Sequence, residues 1–167
     1  VARDQFIIND FPDLKTIKQS PAKVTENNDN ILVTGKGFEA VFDKISGMMT
    51  SYKYKGTEYV SDGFGLRPFF WRAPLDNDYG ARMPKTLKAW HDASYQHLKA
   101  ENLTIESDTE TRISYSYSYN NANAVWNVVY TISNDGRIRV ENHFDATGNE
   151  LPLLFRVGMR MQMPVEF

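Results

Sequence analysis

The sequence contains no cysteine, which excludes disulfide bonds, thiolate nucleophiles and zinc sites built on cysteine. It contains no long apolar run either, so no membrane-spanning helix is predicted. A strong excess of charge is also missing: the net charge is -2, and the lysines and arginines are scattered along the chain. Without a basic patch, binding to nucleic acid is not expected.

Local motifs of common enzyme classes are missing as well. There is no Gly-x-Ser-x-Gly, no glycine-rich phosphate loop and no His-Glu-x-x-His. The three histidines, His91, His97 and His143, are too far apart in sequence for two histidines at helical spacing. We therefore assign no catalytic residue and no metal ligand, and we expect no cofactor in this chain.

The composition is that of a folded protein with one domain of ordinary size. Of the 167 residues, 41% are hydrophobic and 24% are charged, which is enough apolar material for a real core. The chain starts at Val1 without a signal-peptide pattern, and it stops at Phe167 directly after a predicted strand. We expect a piece of a longer protein, truncated on its C-terminal side, whose last sheet has an edge left to be covered.

Residues 1–29 are polar and are interrupted by prolines and by the cluster Glu26-Asn27-Asn28-Asp29-Asn30, so we predict a linker there. Residues 30–167 are predicted to form a single β domain. Short apolar runs separated by turn residues predict its strands. These strands cover residues 31–34, 38–43, 48–54, 66–72, 113–119, 126–132 and 138–144. A last strand is predicted to place Leu153, Phe155, Val157, Met159 and Met161 on one face.

The connections between the predicted strands are short. Asn134-Asp135-Gly136 is a strong hairpin signal. One short helix is predicted over 84–93, because Pro84 suits a first helical position and no helix breaker follows it. Consecutive strands joined by tight turns favour antiparallel pairing, so the predicted fold class is mainly β, an antiparallel sandwich.

The densest polar cluster follows an aromatic run, in the stretch Phe69-Phe70-Trp71-Arg72-Ala73-Pro74-Leu75-Asp76-Asn77-Asp78-Tyr79-Gly80. We interpret it as the end of a buried strand that leads into a polar turn at the surface. Asp76 and Asn77 are expected to bond the loop backbone, while Arg72 pairs with a neighbouring acid. A site-lining role for the loop is the alternative, and a catalytic pair of Asp76 and Asp78 is disfavoured because residues two apart in a turn rarely converge.

The tryptophans and histidines have simpler interpretations. Trp126 is predicted to lie in the core, whereas Trp71 and Trp90 flank the acidic loop and could be core residues or a sugar-stacking surface. His143 is predicted to lie on a solvated strand face with Arg137, Arg139 and Glu141. His91 closes the predicted helix, where a basic side chain is unremarkable.

Residues 68–78 resemble the Pro-x-Phe-Trp-Arg-Ala-Pro-x-Asp-Asn-Asp segment in the C-terminal small-chain domain of glycoside hydrolase family 2 β-galactosidases. The resemblance extends over about residues 30 to 165. It includes the Ser46-Gly47 turn, Trp90, and the stretch 154–164, where Phe155 stands in place of the family's usual proline. It implies a supersandwich similar in fold to galactose mutarotase, and residues 1 to about 22 resemble the exit from a preceding immunoglobulin-like domain.

In this family a separate (β/α)8 barrel holds the two catalytic glutamates, and Mg²⁺ and Na⁺ bind near them. Neither glutamate motif occurs here, so the resemblance implies a non-catalytic domain fragment that packs on the barrel of its parent. It also implies that the loop overhangs the galactose pocket, with Gly80 as a hinge. The rim residues would be Asp76, Asn77, Asp78, Tyr79, Gly80 and Arg82, supported by Trp71, Arg72 and Trp90.

The expected partners are the other domains of the parent and its galactoside substrate, and a homo-oligomer of the parent is compatible with the sequence. Bacterial cytoplasm and periplasm are both compatible too, since the missing cysteine does not fix the compartment. Two alternative functions stay open. One is a stand-alone carbohydrate-binding sandwich that uses Trp71, Trp90 and the acidic loop. The other is an aldose epimerase, for which only His143 and Glu141 are available.

Overall fold

The computed structural model describes residues 21–146 and 153–166. Its first half forms a five-stranded antiparallel sheet in which consecutive strands pair in the order β1-β2-β3-β4-β5. The strands are β1 (Lys23–Glu26), β2 (Asn30–Gly35), β3 (Phe38–Asp43), β4 (Met49–Tyr54) and β5 (Thr57–Glu58). Short turns connect all of them, which is why each strand lies beside its neighbour in sequence.

The second sheet has four antiparallel strands in the order β10-β9-β8-β7. They are β7 (Glu101–Ser107), β8 (Thr111–Tyr119), β9 (Ala124–Ile132) and β10 (Ile138–Ala146). In β8 the tyrosines at 115, 117 and 119 alternate with serines and are all buried, which is the period-two pattern of a strand with one face on the core. The predicted hairpin is confirmed: Gly136 has φ +91° between β9 and β10.

The remaining elements lie outside the two large sheets. A two-stranded ladder joins β6 (Arg67–Pro68) to β11 (Met159–Arg160), and three short helices follow β6. They are α1 (Asp76–Gly80), α2 (Met83–Thr86) and α3 (Lys88–Tyr95), and two 3₁₀ turns cover Ser61–Gly63 and Asn120–Ala122. The predicted helix over 84–93 is confirmed, although Leu87 divides it in two. No helix in the described ranges has the length and apolarity needed to cross a bilayer.

The two large sheets face each other and enclose the main core. Phe42 of β3 meets Tyr130 of β9 edge to face, with ring centroids 5.1 Å apart. Two tyrosine hydroxyls join the layers, since Tyr52 donates to the carbonyl of Gly136 and Tyr117 donates to the carbonyl of Ser46, both at 2.6 Å. The predicted mainly β, antiparallel sandwich is thereby confirmed.

The prediction of an irregular linker over residues 1–29 is wrong for Lys23–Glu26, which form β1 and pair with β2. The asparagine-rich cluster is the hairpin turn between these two strands. Asn27 Oδ1 accepts the backbone N–H groups of Asp29 at 2.9 Å and Asn30 at 2.6 Å, so the side chain closes the turn. Residues 1–20 lie outside the described part of the chain.

The predicted strand over 66–72 is also wrong beyond Arg67–Pro68. Pro68 has no N–H to offer a ladder, and the next two amides bond to different parts of the chain. The N–H of Phe69 donates to Gly158 O at 2.8 Å, whereas the N–H of Phe70 donates to Ser94 Oγ at 2.9 Å. The polar turn expected at Asp76 is the single helical turn α1.

The last predicted strand shortens to Met159–Arg160. Leu153 and Val157 do not face the core, being 77% and 50% exposed, while Phe155 is half-buried. Isolated backbone bonds and ring contacts, rather than a continuous ladder, hold this segment. Strand β7 has no counterpart among the predictions.

Candidate functional site

The predicted site begins at the aromatic run, and Phe70 anchors that run in the core. Phe70 is fully buried and its ring lies 5.3 to 5.5 Å, between centroids, from four other aromatic rings. These rings belong to Trp90, Tyr119, Trp126 and Phe144. The predicted core position of Trp126 is confirmed. Because α3, β8, β9 and β10 all contribute a ring, the segment after β6 is fixed against the second sheet.

Ser94 of α3 fixes the backbone at the same place. Its hydroxyl is buried, accepts the N–H of Phe70 at 2.9 Å and donates to the carbonyl of Trp90 at 2.8 Å. One side chain thus satisfies a buried amide of an irregular segment and connects that segment to the helix. The start of the polar loop therefore cannot move independently of α3.

Arg72 and Asp78 close the loop by a two-point ion pair. Arg72 Nη1 lies 2.6 Å from Asp78 Oδ2, and Arg72 Nη2 lies 3.0 Å from Oδ1. The same Oδ2 accepts the N–H of Leu75 at 2.7 Å, just before the first residue of α1. This last contact is the carboxylate half of a capping box, and it starts the helical turn. The expected pairing of Arg72 with a neighbouring acid is confirmed.

The electrostatics of Asp78 follow from these contacts. The hydrogen bonds from the Arg72 guanidinium, followed by the one from the Leu75 amide, lower the pKa of Asp78 from its ordinary value, against a smaller opposing effect of burial. The residue is only 7% exposed, and with a lowered pKa its carboxyl is ionised at neutral pH. An ionised, fully bonded carboxylate can position a loop but has no free proton to donate as an acid.

Trp71 and Phe155 pack against each other and support the loop beside the Arg72–Asp78 ion pair. Their ring centroids are 5.0 Å apart, and the Arg72 guanidinium lies 4.4 Å from the Phe155 centroid. Trp71 also meets His91 edge to face at 5.1 Å. Because Phe155 comes from the C-terminal segment and His91 from α3, two distant parts of the chain brace the residues next to the ion pair.

Five of the six predicted rim residues face solvent around this support. Asp76, Asn77, Tyr79, Gly80 and Arg82 are exposed, and the Tyr79 side chain is 62% exposed. Asp78 differs, because its carboxylate is turned inward to Arg72. Gly80 does not have the positive φ that its predicted hinge role would use. It lies within α1, and the left-handed residue is Arg82, with φ +55°.

The structure changes several expectations about single residues. Among the described side chains it is Asp78, and not Asp76 or Asn77, that bonds the loop backbone. Trp71 and Trp90 are 7% and 0% exposed, so neither offers a face for stacking on a sugar, which disfavours the carbohydrate-binding module. His143 and Glu141 lie on the solvated face of the outer strand β10, as predicted. An aldose epimerase needs these two groups in a cleft, so their position disfavours that alternative.

Two supporting residues were missed by the sequence predictions. Ser94 carries no local signal, because its partner Phe70 is 24 positions away in sequence. Phe155 was predicted on one face of the last strand and noted in place of the family's proline, but its contacts with Trp71 and Arg72 were not predicted. Loop support therefore depends on contacts between segments that are distant in sequence.

The described residues contain no group of three or more His, Asp or Glu side chains arranged to hold a metal ion. Burial also disfavours the ionised form of the core tyrosines. Burial raises the pKa of Tyr130 to about 12 and also raises the pKa values of Tyr115, Tyr117 and Tyr119. The predicted site therefore consists of a short, exposed polar turn on a well-packed structural support.

Comparison with known proteins identifies relatives of this chain. A sequence model described as "Beta galactosidase small chain" matches residues 34–167. The chain is 34% identical over its whole length to a "Beta-galactosidase" of Priestia megaterium, and it covers 16% of that protein. It is 27% identical to a "Beta-galactosidase" of Streptococcus thermophilus and 28% identical to one of Lactobacillus delbrueckii subsp. bulgaricus, covering 16% of each.

The chain thus spans about one sixth of the length of the curated relatives it matches, with 16% of each of them covered. The family match includes both β-sheets from β3 onward, the three helices and the Arg72–Asp78 loop. The chain belongs to the β-galactosidase small chain family.

Proposed function

We propose that this chain is a non-catalytic domain of a β-galactosidase, which supports and lines the rim of an active site located elsewhere in the parent enzyme. The observation that carries the proposal is the family match over residues 34–167, in a chain that spans 16% of its relatives. An exposed turn on a rigid base suits this role, because a rim contact contributes most when its position is fixed before substrate binds.

In this proposal the parent hydrolyses terminal non-reducing β-D-galactose residues with retention of configuration, and the two glutamates lie in a barrel outside the chain. Any Mg²⁺ or Na⁺ of the parent would also bind there. The chain itself contributes packing against the barrel and the exposed side chains of the rim, namely Asp76, Asn77, Tyr79 and Arg82. Asp78, Arg72, Trp71 and Trp90 hold that rim in place.

Hydrolysis of a chromogenic β-galactoside tests the proposal. The chain and the full-length parent are assayed at equal molar concentration. Turnover by the parent with none by the chain is expected. Turnover by the chain alone would contradict the proposal and would direct attention to Asp76, Asp78 and His143.

The rim role has its own test in the parent. Tyr79→Ala removes the largest exposed side chain of the rim, and the matched control is Ile45→Ala, a 67% exposed residue in the turn between β3 and β4. We expect Tyr79→Ala to lower kcat/KM by roughly tenfold, the effect of about 1.4 kcal/mol of lost binding, without a change in Tm. Equal activity of the two variants would contradict the rim role.

A further inference from the structure

The short ladder β6–β11 brings two arginines together. Arg67 and Arg160 are directly opposite each other in its antiparallel register, so their side chains leave the same face of the ladder. We refer to these two residues as the arginine pair. Like charges in directly opposite positions repel each other, and such a pair is unfavourable unless an anion compensates it.

The surroundings of the pair are aromatic and not acidic. The Arg160 guanidinium lies 4.2 Å from the centroid of Phe69, 5.0 Å from Tyr95 and 5.1 Å from Phe64. The Arg67 guanidinium lies 5.6 Å from the same Phe64 ring. Aromatic rings attract the charge of a guanidinium but accept none of the hydrogen bonds that its N–H groups donate in the guanidinium plane.

The existing hydrogen bonds use only part of the donors. Arg67 Nη2 donates to the carbonyls of Ser94 at 3.3 Å and Gln96 at 2.8 Å, which fixes this guanidinium beside α3. The Nε atoms of Arg67 and Arg160 are both buried and have no hydrogen-bond partner among the described residues. A buried donor without an acceptor is costly, and a charged one more so.

No carboxylate in the described ranges balances this charge. The ion pairs of those ranges involve Arg72, Arg137, Arg139, Lys44, Lys88 and His91, and not the arginine pair. A third cation, Arg156, lies 5.8 Å from the Phe69 centroid and adds to the positive potential. Burial and repulsion by Arg160 together lower the pKa of Arg67, which is the effect expected when two cations face each other without a counter-ion.

We propose that Arg67 and Arg160 form a binding site for a carboxylate. Planar guanidinium groups bind carboxylates through two parallel hydrogen bonds. The contacts of Arg160 with Phe69 and of Arg67 with the carbonyl of Gln96 restrict the movement of both side chains. The inference goes beyond the proposed function, because the site lies on the β6–β11 ladder and uses none of the rim residues.

Nuclear magnetic resonance of the arginine Nε–H groups tests the proposal on the chain itself. Acetate is the probe, titrated against sodium chloride at equal ionic strength. Saturable shifts of the Arg67 and Arg160 Nε–H signals with acetate but not with chloride are expected. The absence of a saturable shift, or the same shift with chloride, would overturn the proposal.

Variants locate the site. Arg160→Gln is expected to weaken acetate binding by at least roughly tenfold, the loss of one charged hydrogen bond. Arg160→Lys keeps the charge and the stem, and it is expected to weaken binding too because the planar fork is lost. The control Arg139→Gln removes an exposed arginine that pairs with Glu141, and binding should be unchanged. Equal affinity of all four proteins would overturn the assignment.

The source of the carboxylate is distinguished in the full-length parent. Saturable acetate shifts in both the chain and the parent indicate a free carboxylate ligand. Shifts in the chain that are absent in the parent indicate that a carboxylate side chain elsewhere in the parent already occupies the site. Both outcomes depend on the saturable binding to the isolated chain, so the chain experiment alone decides whether the site exists.

Discussion

Arg72 and Asp78 are joined at two points, with Nη1 2.6 Å from Oδ2 and Nη2 3.0 Å from Oδ1, and the same carboxylate caps α1 through the Leu75 amide. The pair connects the end of the aromatic run to the start of the exposed turn. A planar guanidinium is suited to this contact, since a lysine could make only one of the two bonds in this geometry.

Removal of either member of the pair is expected to destabilise the loop. Arg72→Ala leaves the mostly buried Asp78 carboxylate without its cation and removes the contact to Phe155, and Asp78→Asn removes the charge and the strongest acceptor for the Leu75 amide. We expect both variants to melt at a lower temperature than the unchanged chain. The control is Asp76→Asn, an exposed acid in the same turn, whose Tm should not change. An unchanged Tm for Arg72→Ala would refute this role of the pair.

The same pair predicts a pH dependence of stability. The native pKa of Asp78 lies below the unfolded value of about 3.9, so the contribution of the pair is fully present above that value. It is lost as the pH falls through the native pKa, where the folded protein also takes up the proton. Urea unfolding of the chain and of Asp78→Asn should therefore differ at pH 7 and converge once the pH falls below the native pKa of Asp78. A difference that persists unchanged in acid would contradict the ion pair as its cause.

Phe70 is expected to be the most sensitive position of the aromatic run. Phe70→Ala empties the space among four rings and should cost about 3–5 kcal/mol in the free energy of unfolding. Leu75→Ala is the control, because Leu75 is 65% exposed and should change stability by less than about 0.5 kcal/mol. Denaturant unfolding measures both. Similar losses for the two variants would show that Phe70 does not anchor the run.

Much of the sandwich could be predicted from the sequence because its strands carry a local pattern. The alternation of Tyr115, Tyr117 and Tyr119 with serines gives β8 its buried face, and the Asn134 to Gly136 turn gives the hairpin that follows β9. Strand β7 was missed because its apolar residues, Leu103 and Ile105, are only half-buried, and its pairing with β8 supplies the ladder. When hydrogen bonds to a neighbouring strand are the main stabilisation, the sequence of a strand shows only a weak alternation of apolar and polar residues.

The aromatic run shows the opposite error. Three consecutive large side chains, Phe69, Phe70 and Trp71, have the composition of a buried strand. The backbone amides of Phe69 and Phe70 go to separate partners, however, and the rings pack against α3 and the C-terminal segment. Apolar composition indicates burial but not what the residues are buried against. Local sequence patterns therefore cannot predict the supporting contacts of the candidate site, such as the one between Ser94 and Phe70.

The last prediction compares two glycines, Gly65 and Gly80. At Gly65 an added Cβ would lie 1.8 Å from the carbonyl oxygen of Met49, a backbone atom that cannot rotate away. Only the hydrogen of a glycine therefore fits between β4 and the segment before β6. Gly65→Ala must push these segments apart and is expected to cost about 1–3 kcal/mol in the free energy of unfolding.

Gly80→Ala is the matched control, because Gly80 lies in α1 and an added Cβ there meets nothing within 4 Å. A helical glycine in open space is destabilising relative to alanine, so this variant is expected to gain about 0.5–1 kcal/mol. Denaturant unfolding of the two variants checks both signs. In the parent, Gly80→Ala also tests the hinge. Unchanged kcat and KM would mean that α1 acts as a rigid rim, whereas a lower kcat in a more stable protein would mean that catalysis needs Gly80 to leave its helical conformation.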